Sequence, residues 1–380
     1  MRILFWSELF WPYLGGVELL AANFLTAMQA RGHELAVITS HGHLELPEQD
    51  EYAGVPVHRF AFRAALAERD VTRWVELRRR LRELKDAFAP DLLHMYALGP
   101  SALFHLQTEA RPSVPVLATL HGEVLRPHEK GHDTVLERIL ARARWVTGVS
   151  SAVLEAARQR TPAIRNRSSV IYTGLAQPRL QPEPLAHDEP RLLCLGRLVW
   201  DKGFDLALSA FVRLLKQFPR ARLLVAGDGP VRADLERQAA ELGVADAVEF
   251  HGWLAPDQVP ALLNRVTMVL TPSRREGLPL VAIQAAQMRR PVVAARAGGL
   301  PEVVVHGETG LLVAPEDSGA VGDAMSYLLE NPDVADRLGG NARIRAEMLF
   351  DHDRHFDAYD RQYRALVKVP WCPVSASSTS

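Results

Sequence analysis

The sequence has little that would tie the protein to a metal, a membrane or a nucleic acid. Only two of its 380 residues are cysteines, Cys194 and Cys372, and their spacing fits neither a disulfide framework nor a zinc site. The formal net charge is −1, so no excess of positive charge points to nucleic acid as a partner. No apolar run is long enough to cross a bilayer, and the first predicted strand starts at Arg2, which leaves no room for a signal peptide. We therefore expect a cytoplasmic protein.

What the sequence does contain is a regular alternation of short apolar runs and longer helical patterns, which favours a doubly wound parallel sheet. In the first half the predicted strands are 2–6, 34–39, 55–60, 91–96, 114–120, 145–150 and 168–172, with helices that include 17–31 and 132–144. The second half repeats the pattern with strands 191–196, 221–227, 247–252, 266–272, 291–295 and 309–313 and helices 203–217, 231–242 and 279–289.

A stretch with four prolines in fifteen positions, residues 176–190, separates the two halves and resembles a linker. The prediction is an N-terminal Rossmann-like domain over 1–178, a linker over 179–190 and a second Rossmann-like domain over 191–350. A helix over 351–368 and a disordered tail over 369–380 follow. Ligands bind at the carboxyl ends of the strands in such sheets, so we expect the site in a central cleft that the two domains face.

The segment "SRREGLPLVAIQA" places Glu276 in a loop and Gln284 about 7–8 Å along the helix that follows. Pro279 suits the first helical position, and the helix start presents unpaired N–H groups to an anion. Glu276 would then contact sugar hydroxyls, the helix start would contact the diphosphate, and the amide of Gln284 would contact the ribose. The alternative is a capped helix with a solvated glutamine.

Three further motifs follow strands of the second half. "GRLVWDKG" places Arg197 at a strand end and Lys202 at a helix start, which suits a diphosphate; two ordinary surface cations are the alternative. "AGDGP" is a tight turn that would let a base or phosphate approach the backbone, and "AGGLPE" offers backbone N–H groups in the same way. Each of these two turns can equally be a turn without a ligand.

The first half offers fewer candidates. Gly16 follows the first strand and could line the cleft, or only form a turn, and His121 ends the strand 114–120 where it would face the cleft, although a lone histidine is more often structural. The basic helix 71–88 keeps an apolar stripe, which fits a solvated face or peripheral contact with an anionic membrane.

Together the motifs "GRLVWDKG", "AGDGP", "REGLPLVAIQA" and "GGLPEVVVHGETGLLV" resemble the retaining glycosyltransferases of family 4, which have the GT-B fold. The resemblance covers roughly residues 1–365. It implies a nucleotide-sugar co-substrate, with UDP the commonest nucleotide in the family, no metal and no other cofactor. It also implies an acceptor that is a glycan, a glycolipid or a small molecule.

The resemblance also implies roles for individual residues. Arg197 and Lys202 would hold the donor diphosphate, Glu276 would contact the transferred sugar, and His121 would lie near the reacting carbon. The other donor-binding residues that it implies are Gly16, Gly227, Gly229, His251, Gly277, Leu278, Leu280 and Gln284.

Gln284 departs from the family pattern, which has a second glutamate there that accepts hydrogen bonds from both ribose hydroxyls. An amide oxygen still accepts one, so we expect weaker nucleotide binding with intact chemistry. The expected reaction is hexose transfer to an acceptor hydroxyl with retention at the anomeric carbon. A sugar-nucleotide 2-epimerase of the same fold and a catalytically silent nucleotide-sugar-binding partner remain as alternatives.

Overall fold

A computed structural model gives the fold and describes residues 1–13, 15–68, 70–108, 114–125 and 134–368. The chain forms two compact units. The first comprises Met1–Ile171 together with the helical residues from Asp353 onward, and the second comprises Tyr172–His352.

The first unit is built on an eight-stranded sheet of order β3-β4-β2-β1-β5-β6-β7-β8. Its strands are β1 Arg2–Ser7, β2 Glu34–Ser40, β3 Gln49–Tyr52, β4 Val55–Phe60, β5 Leu92–Ala97, β6 Val116–Leu120, β7 Trp145–Gly148 and β8 Ser168–Val170. All pair in parallel except the edge strand β3, which runs antiparallel to β4. The prediction omitted β3 because its sequence QDEY has neither an apolar alternation nor a β-branched residue.

The helices of the first unit are α1 Gly16–Ala30, α2 Phe62–Glu68, α3 Val71–Phe88, α4 Ala102–Gln107, α5 Val135–Arg142 and α6 Ser151–Arg160. The core is formed by apolar residues of the central strands and of α1, such as Ile3, Phe5 and Phe24, none of which is exposed.

The second unit repeats the arrangement on a six-stranded parallel sheet of order β11-β10-β9-β12-β13-β14. Its strands are β9 Arg191–Leu195, β10 Arg222–Ala226, β11 Val248–Gly252, β12 Met268–Thr271, β13 Val292–Ala295 and β14 Gly310–Val313. Its helices are α7 Phe204–Gln217, α8 Arg232–Glu241, α9 Val259–Asn264, α10 Leu280–Gln287, α11 Leu300–Val303, α12 Ser318–Glu330 and α13 Pro332–Leu349. Every strand predicted from the sequence therefore lies within two residues of an observed strand at each end.

The final helix, α14 His352–Lys368, packs on the sheet of the first unit through a buried polar cluster. The Tyr363 hydroxyl lies 2.5 Å from His94 Nδ1, and His94 Nε2 lies 2.8 Å from the Thr119 hydroxyl. The hydroxyls of Thr119, Thr147 and Tyr359 then form a closed set of contacts at 2.8–3.2 Å. Burial holds the pKa of His94 well below its usual value, so this imidazole is neutral. No other acceptor faces the Tyr363 hydroxyl in the described residues, so this hydroxyl donates to Nδ1.

The boundary between the units differs from the predicted one. The first unit ends at Ile171 rather than at 178, and the proline-rich stretch predicted as a linker packs on the second unit. Leu185 is only 8% exposed within the second core. The side-chain amide of Asn264 donates to the carbonyl of Gln181 and accepts from the N–H of Glu183. Prolines prevent a regular element here, but buried side chains still satisfy the backbone. The predicted tail, 369–380, lies outside the described residues.

Candidate active site

Two loops at the carboxyl ends of neighbouring strands bring the principal site residues together. Lys202 ends the 3-10 turn Trp200–Lys202 after β9, and Glu276 lies in the loop between β12 and α10. Lys202 Nζ donates to Glu276 Oε1 in an ion pair whose side chains are 26% and 11% exposed. The Ser273 hydroxyl, 3.3 Å away, donates to the same oxygen. The sequence suggested separate roles for the two charges, and the structure shows that they contact each other.

Arg197 lies at the other end of the same loop and is exposed. Its side chain has no hydrogen-bond or ion-pair partner among the residues that the structure describes. Its role in holding a diphosphate stays a prediction, as does that of Lys202.

The "AGGLPE" turn contacts the backbone of Glu276. Gly298 has a φ of +50°, and a Cβ built on it would lie 1.9 Å from the carbonyl oxygen of Glu276. The N–H of Gly299 donates to that same oxygen at 3.0 Å. Only glycine tolerates both this conformation and this approach, so Gly298 sets the position of the Glu276 loop.

The "AGDGP" turn was predicted to let a base or phosphate approach the backbone, but here another loop makes the close approach. A Cβ on Gly227 would lie 1.9 Å from the carbonyl oxygen of Gly196, and the N–H of Leu198 donates to the carbonyl of Asp228 at 2.9 Å. Gly227 and Gly229 therefore hold the turn against the loop that carries Arg197. Their contact with a nucleotide stays a prediction.

Helix α10 starts one residue later than predicted. Pro279 is its N-cap, with extended backbone angles, because the N–H groups of Ala282 and Ile283 both donate to the Pro279 carbonyl. No side chain caps this start, so the N–H groups of Leu280 and Val281 have no acceptor in the described residues. Gly277 and Leu278 lead into the helix. The half-buried Gln284 side chain one turn further has no hydrogen-bond partner in the same part of the chain.

Three predicted residues belong to other elements of the fold. His251 belongs to β11 and has Glu249 Oε2 3.3 Å from its Nε2. Gly16 starts α1 of the first unit, with Gly15 as the N-cap. His121 follows β6 of the first unit; its ring centroid lies 4.6 Å from that of Tyr96.

The environment of His121 makes its imidazole neutral. Burial lowers its pKa to about 4, although a hydrogen bond to the backbone of Tyr96 works in the opposite direction. Its Nε2 is buried and has no partner in the described residues.

Two arginines that precede Glu276 were not among the residues predicted from the sequence. Arg274 makes a bidentate ion pair with Asp205, with distances of 2.7 and 2.8 Å, and Arg275 Nε lies 3.1 Å from Asp201 Oδ1. Both guanidinium groups lie over the ring of Trp200, at 4.4 and 5.4 Å from its centroid. The pairing joins residues about 70 positions apart in the sequence, so only the charge pattern could have suggested it.

Two family models match this chain. The model described as "Glycosyl transferases group 1" matches residues 178–345, and the one described as "Glycosyltransferase Family 4" matches residues 14–176. A GDP-mannose-dependent alpha-(1-6)-phosphatidylinositol monomannoside mannosyltransferase from Mycobacterium tuberculosis is 31% identical over 286 residues, 70% of this chain and 73% of the relative. The chain belongs to glycosyltransferase family 4. A glycogen synthase from the same species is 29% identical over 397 residues, 92% of this chain and 91% of the relative.

Solved structures give this family 4 glycosyltransferase the GT-B fold. The sucrose-phosphate synthase of Thermosynechococcus elongatus matches with a TM-score of 0.82 and 25% identity, over 97% of this chain and 99% of the other. The HepE protein of Anabaena, solved in complex with UDP and glucose, matches with a TM-score of 0.76 and 22% identity, over 96% and 100%.

Three of the six basic residues of helix α3 of the glycosyltransferase lie in ion pairs. Arg73 pairs with Glu68, Arg79 with both Glu76 and Glu83, and Arg80 with Glu48, so its net positive face is smaller than the sequence suggested. The N–O distances in these pairs are 2.5–2.7 Å. In the described ranges no helix has the length and apolar character needed to cross a membrane.

Proposed function

We propose that this family 4 glycosyltransferase moves a hexose from a nucleoside diphosphate sugar, with UDP the expected nucleotide, to an acceptor hydroxyl with retention of configuration. The observation that carries the proposal is the contact of Lys202 with Glu276 at the carboxyl ends of β9 and β12. Two findings support it: a relative is named for its dependence on GDP-mannose, and the HepE structure holds UDP and glucose.

The chemistry follows from the charges at this edge of the sheet. Breaking the bond between the anomeric carbon and the phosphate leaves negative charge on the diphosphate. Lys202, Arg197 and the uncapped start of α10 would stabilise that charge, which is electrostatic catalysis without a metal. The Glu276 carboxylate would accept hydrogen bonds from hydroxyls of the transferred sugar and orient it.

Retention fits a route in which the acceptor attacks from the side that the diphosphate leaves, through an oxocarbenium-like state. The departing phosphate would take the proton of the acceptor hydroxyl. His121, neutral with its Nε2 unpartnered in the described residues, could accept a hydrogen bond from the sugar near the reacting carbon. Gln284 would accept one ribose hydroxyl.

The proposal includes a cytoplasmic location and an acceptor that is a glycan, a glycolipid or a small molecule. It extends to peripheral membrane contact through α3, where Val71 and Val75 are 75% and 58% exposed beside the arginines. Cosedimentation with phosphatidylglycerol vesicles tests this extension; equal binding by the wild type and by a Val71→Glu, Val75→Glu double variant would contradict it.

Release of nucleoside diphosphate from UDP-glucose, UDP-N-acetylglucosamine, GDP-mannose and ADP-glucose tests the reaction. The wild type should turn over one of these donors in the presence of chelator, and NMR of the glycoside should show the donor's anomeric configuration. Lys202→Ala and Glu276→Ala should each reduce kcat/KM by about 100- to 1000-fold. The matched control is Lys216→Ala, because this exposed lysine of α7 lies at the other end of the helix.

Each alternative gives a different result in this assay. A 2-epimerase would convert the donor into the C2 epimer of the intact nucleotide sugar, without an acceptor and without net release of nucleotide. A silent binding partner would bind donor without releasing nucleotide. Full activity in Lys202→Ala would contradict the role given to the cation.

A further inference from the structure

Arg274 is the most completely bound cation of the second unit's site loops. Its side chain is only 8% exposed, although it is charged. Nη1 donates to Asp205 Oδ1 at 2.8 Å and to the carbonyl of Trp200 at 2.9 Å, while Nη2 donates to Asp205 Oδ2 at 2.7 Å. Nε donates to Glu316 Oε1 at 2.7 Å. A planar guanidinium makes this set of directed bonds, and an ammonium cannot.

These bonds join three loops that leave the same edge of the sheet. Trp200 and Asp205 flank the turn after β9, Arg274 itself belongs to the loop after β12, and Glu316 follows β14. Glu316 has a φ of +61°, a conformation that costs free energy in a residue with a side chain. Its ion pair with Arg274 is a contact that can hold this conformation.

The loops that Arg274 joins are those that carry the candidate catalytic pair. Lys202 lies within the segment that Trp200 and Asp205 bracket, and Glu276 lies two residues after Arg274. The backbone N–H of Arg274 also donates to the carbonyl of Asp201 at 2.8 Å. The guanidinium therefore joins the two loops that carry Lys202 and Glu276, and its hydrogen bonds go to neither of these two side chains.

We infer that Arg274 is a positioning residue for sugar transfer: it fixes the turn of Lys202 against the loop of Glu276. This inference rests on the proposed function, because it assigns Arg274 a part in the same reaction. Arg274 is not expected to touch the donor, since all three of its nitrogens are bound to protein oxygens.

The neighbouring Arg275 provides a matched control. It lies over the same ring of Trp200, but its ion pair is a single contact with Asp201 and its side chain is 31% exposed. Within the described residues it makes no hydrogen bond or ion pair with the loop after β14. Substitutions of Arg275 remove the same charge from the same loop and one ion pair with the turn of Lys202, but they leave the three loops joined through Arg274.

The experiment compares Arg274→Ala, Arg274→Lys and Arg275→Ala with the wild type, using nucleotide release from the donor that the wild type turns over. Arg274→Ala should reduce kcat by about 100-fold, the effect of misplacing a reacting group by about 1 Å, and change the donor KM by less than about fivefold. Arg274→Lys should lose nearly as much despite its charge. Arg275→Ala should stay within about threefold of the wild type.

Two readouts separate positioning from loss of folding. Added guanidinium ion should restore part of the activity of Arg274→Ala and none of that of Lys202→Ala. The ion can take the place of the missing arginine guanidinium, but it does not match the missing lysine ammonium. Amide hydrogen exchange over residues 198–205 should become faster in Arg274→Lys and not in Arg275→Ala. If Arg274→Ala does not fold, Arg274→Lys and Glu316→Gln provide the same comparison.

Failure of the inference and failure of the proposed function give different patterns. If Lys202→Ala and Glu276→Ala lose activity while Arg274→Ala and Arg274→Lys keep a kcat within about twofold of the wild type, the positioning role is wrong. If none of these substitutions changes nucleotide release, or if the wild type releases none, the proposed function is wrong and the inference with it.

Discussion

Replacing Gly298 with alanine should displace Glu276 without changing any group in the site. The added Cβ would lie 1.9 Å from the Glu276 carbonyl oxygen, whereas real Cβ atoms essentially never come closer than 3.0 Å to such an atom. The Glu276 loop must therefore shift by about 1 Å, and a misplacement of this size costs about 100-fold in rate. We expect kcat to fall by that factor.

The substitution should also lower the free energy of unfolding. An alanine at a φ of +50° costs about 1–2 kcal/mol, and relieving the contact adds about 1–3 kcal/mol. Gly307→Ala is the matched control, because Gly307 has a φ of +76° but open space around a Cβ built on it. It should lose only the first contribution and keep its activity.

The assay is nucleotide release under saturating donor, with thermal unfolding followed in parallel on all three proteins. A kcat for Gly298→Ala within about twofold of the wild type, in a folded protein, would refute the link between this turn and the position of Glu276. Equal losses of activity in Gly298→Ala and Gly307→Ala would attribute the effect to general destabilisation instead.

Three further substitutions test separate parts of the account. Gln284→Glu should tighten binding of UDP about tenfold, since a charged acceptor adds about 1.4 kcal/mol, and unchanged affinity by calorimetry would contradict the ribose contact. His121 has a pKa of about 4 when folded and 6.5 when unfolded, so the unfolded chain binds the proton first as the pH falls. As the pH falls from the unfolded pKa to the folded pKa, up to about 3 kcal/mol of the free energy of unfolding is lost. In urea titrations the free energy of unfolding of His121→Gln should depend less on pH in this range than that of the wild type, and an equal dependence would contradict this. Tyr363→Phe leaves the buried Nδ1 of His94 without its donor and should lower the free energy of unfolding, measured in urea, by about 1–3 kcal/mol. The control Tyr327→Phe changes a residue that is 45% exposed and should lower it by less than about 0.5 kcal/mol. Equal decreases in the two variants would argue against the polar cluster.

The parallel strands of both sheets could be predicted because buried parallel strands appear as continuous apolar runs. The strand β3 could not, because the sequence QDEY becomes extended only by pairing with β4 at the sheet edge. The packing of the proline-rich stretch before β9 on the second unit could not be predicted for a similar reason. Its composition indicates irregular backbone, but composition does not show that Asn264 and other distant side chains bind that backbone.

At the site the sequence could identify the residue types but not their partners. Lys202 and Glu276 are 74 positions apart, and nothing local indicates that they meet. The sequence left open whether the glycines of the "AGDGP" turn admit a ligand or only form a turn, and the structure shows the backbone of Gly196 approaching Gly227. Glycine marks a close approach, and only the fold identifies which group approaches.

The most direct test of the central claim is calorimetric titration of UDP, GDP, ADP and dTDP into the wild type and into Lys202→Ala, with chelator present. The account predicts that the wild type binds one nucleotide diphosphate clearly without metal and that Lys202→Ala binds the same nucleotide about tenfold or more weakly, as loss of a charged hydrogen bond implies. Binding that appears only with Mg²⁺, or that is equal in the two proteins, would contradict the assignment of the diphosphate to this site.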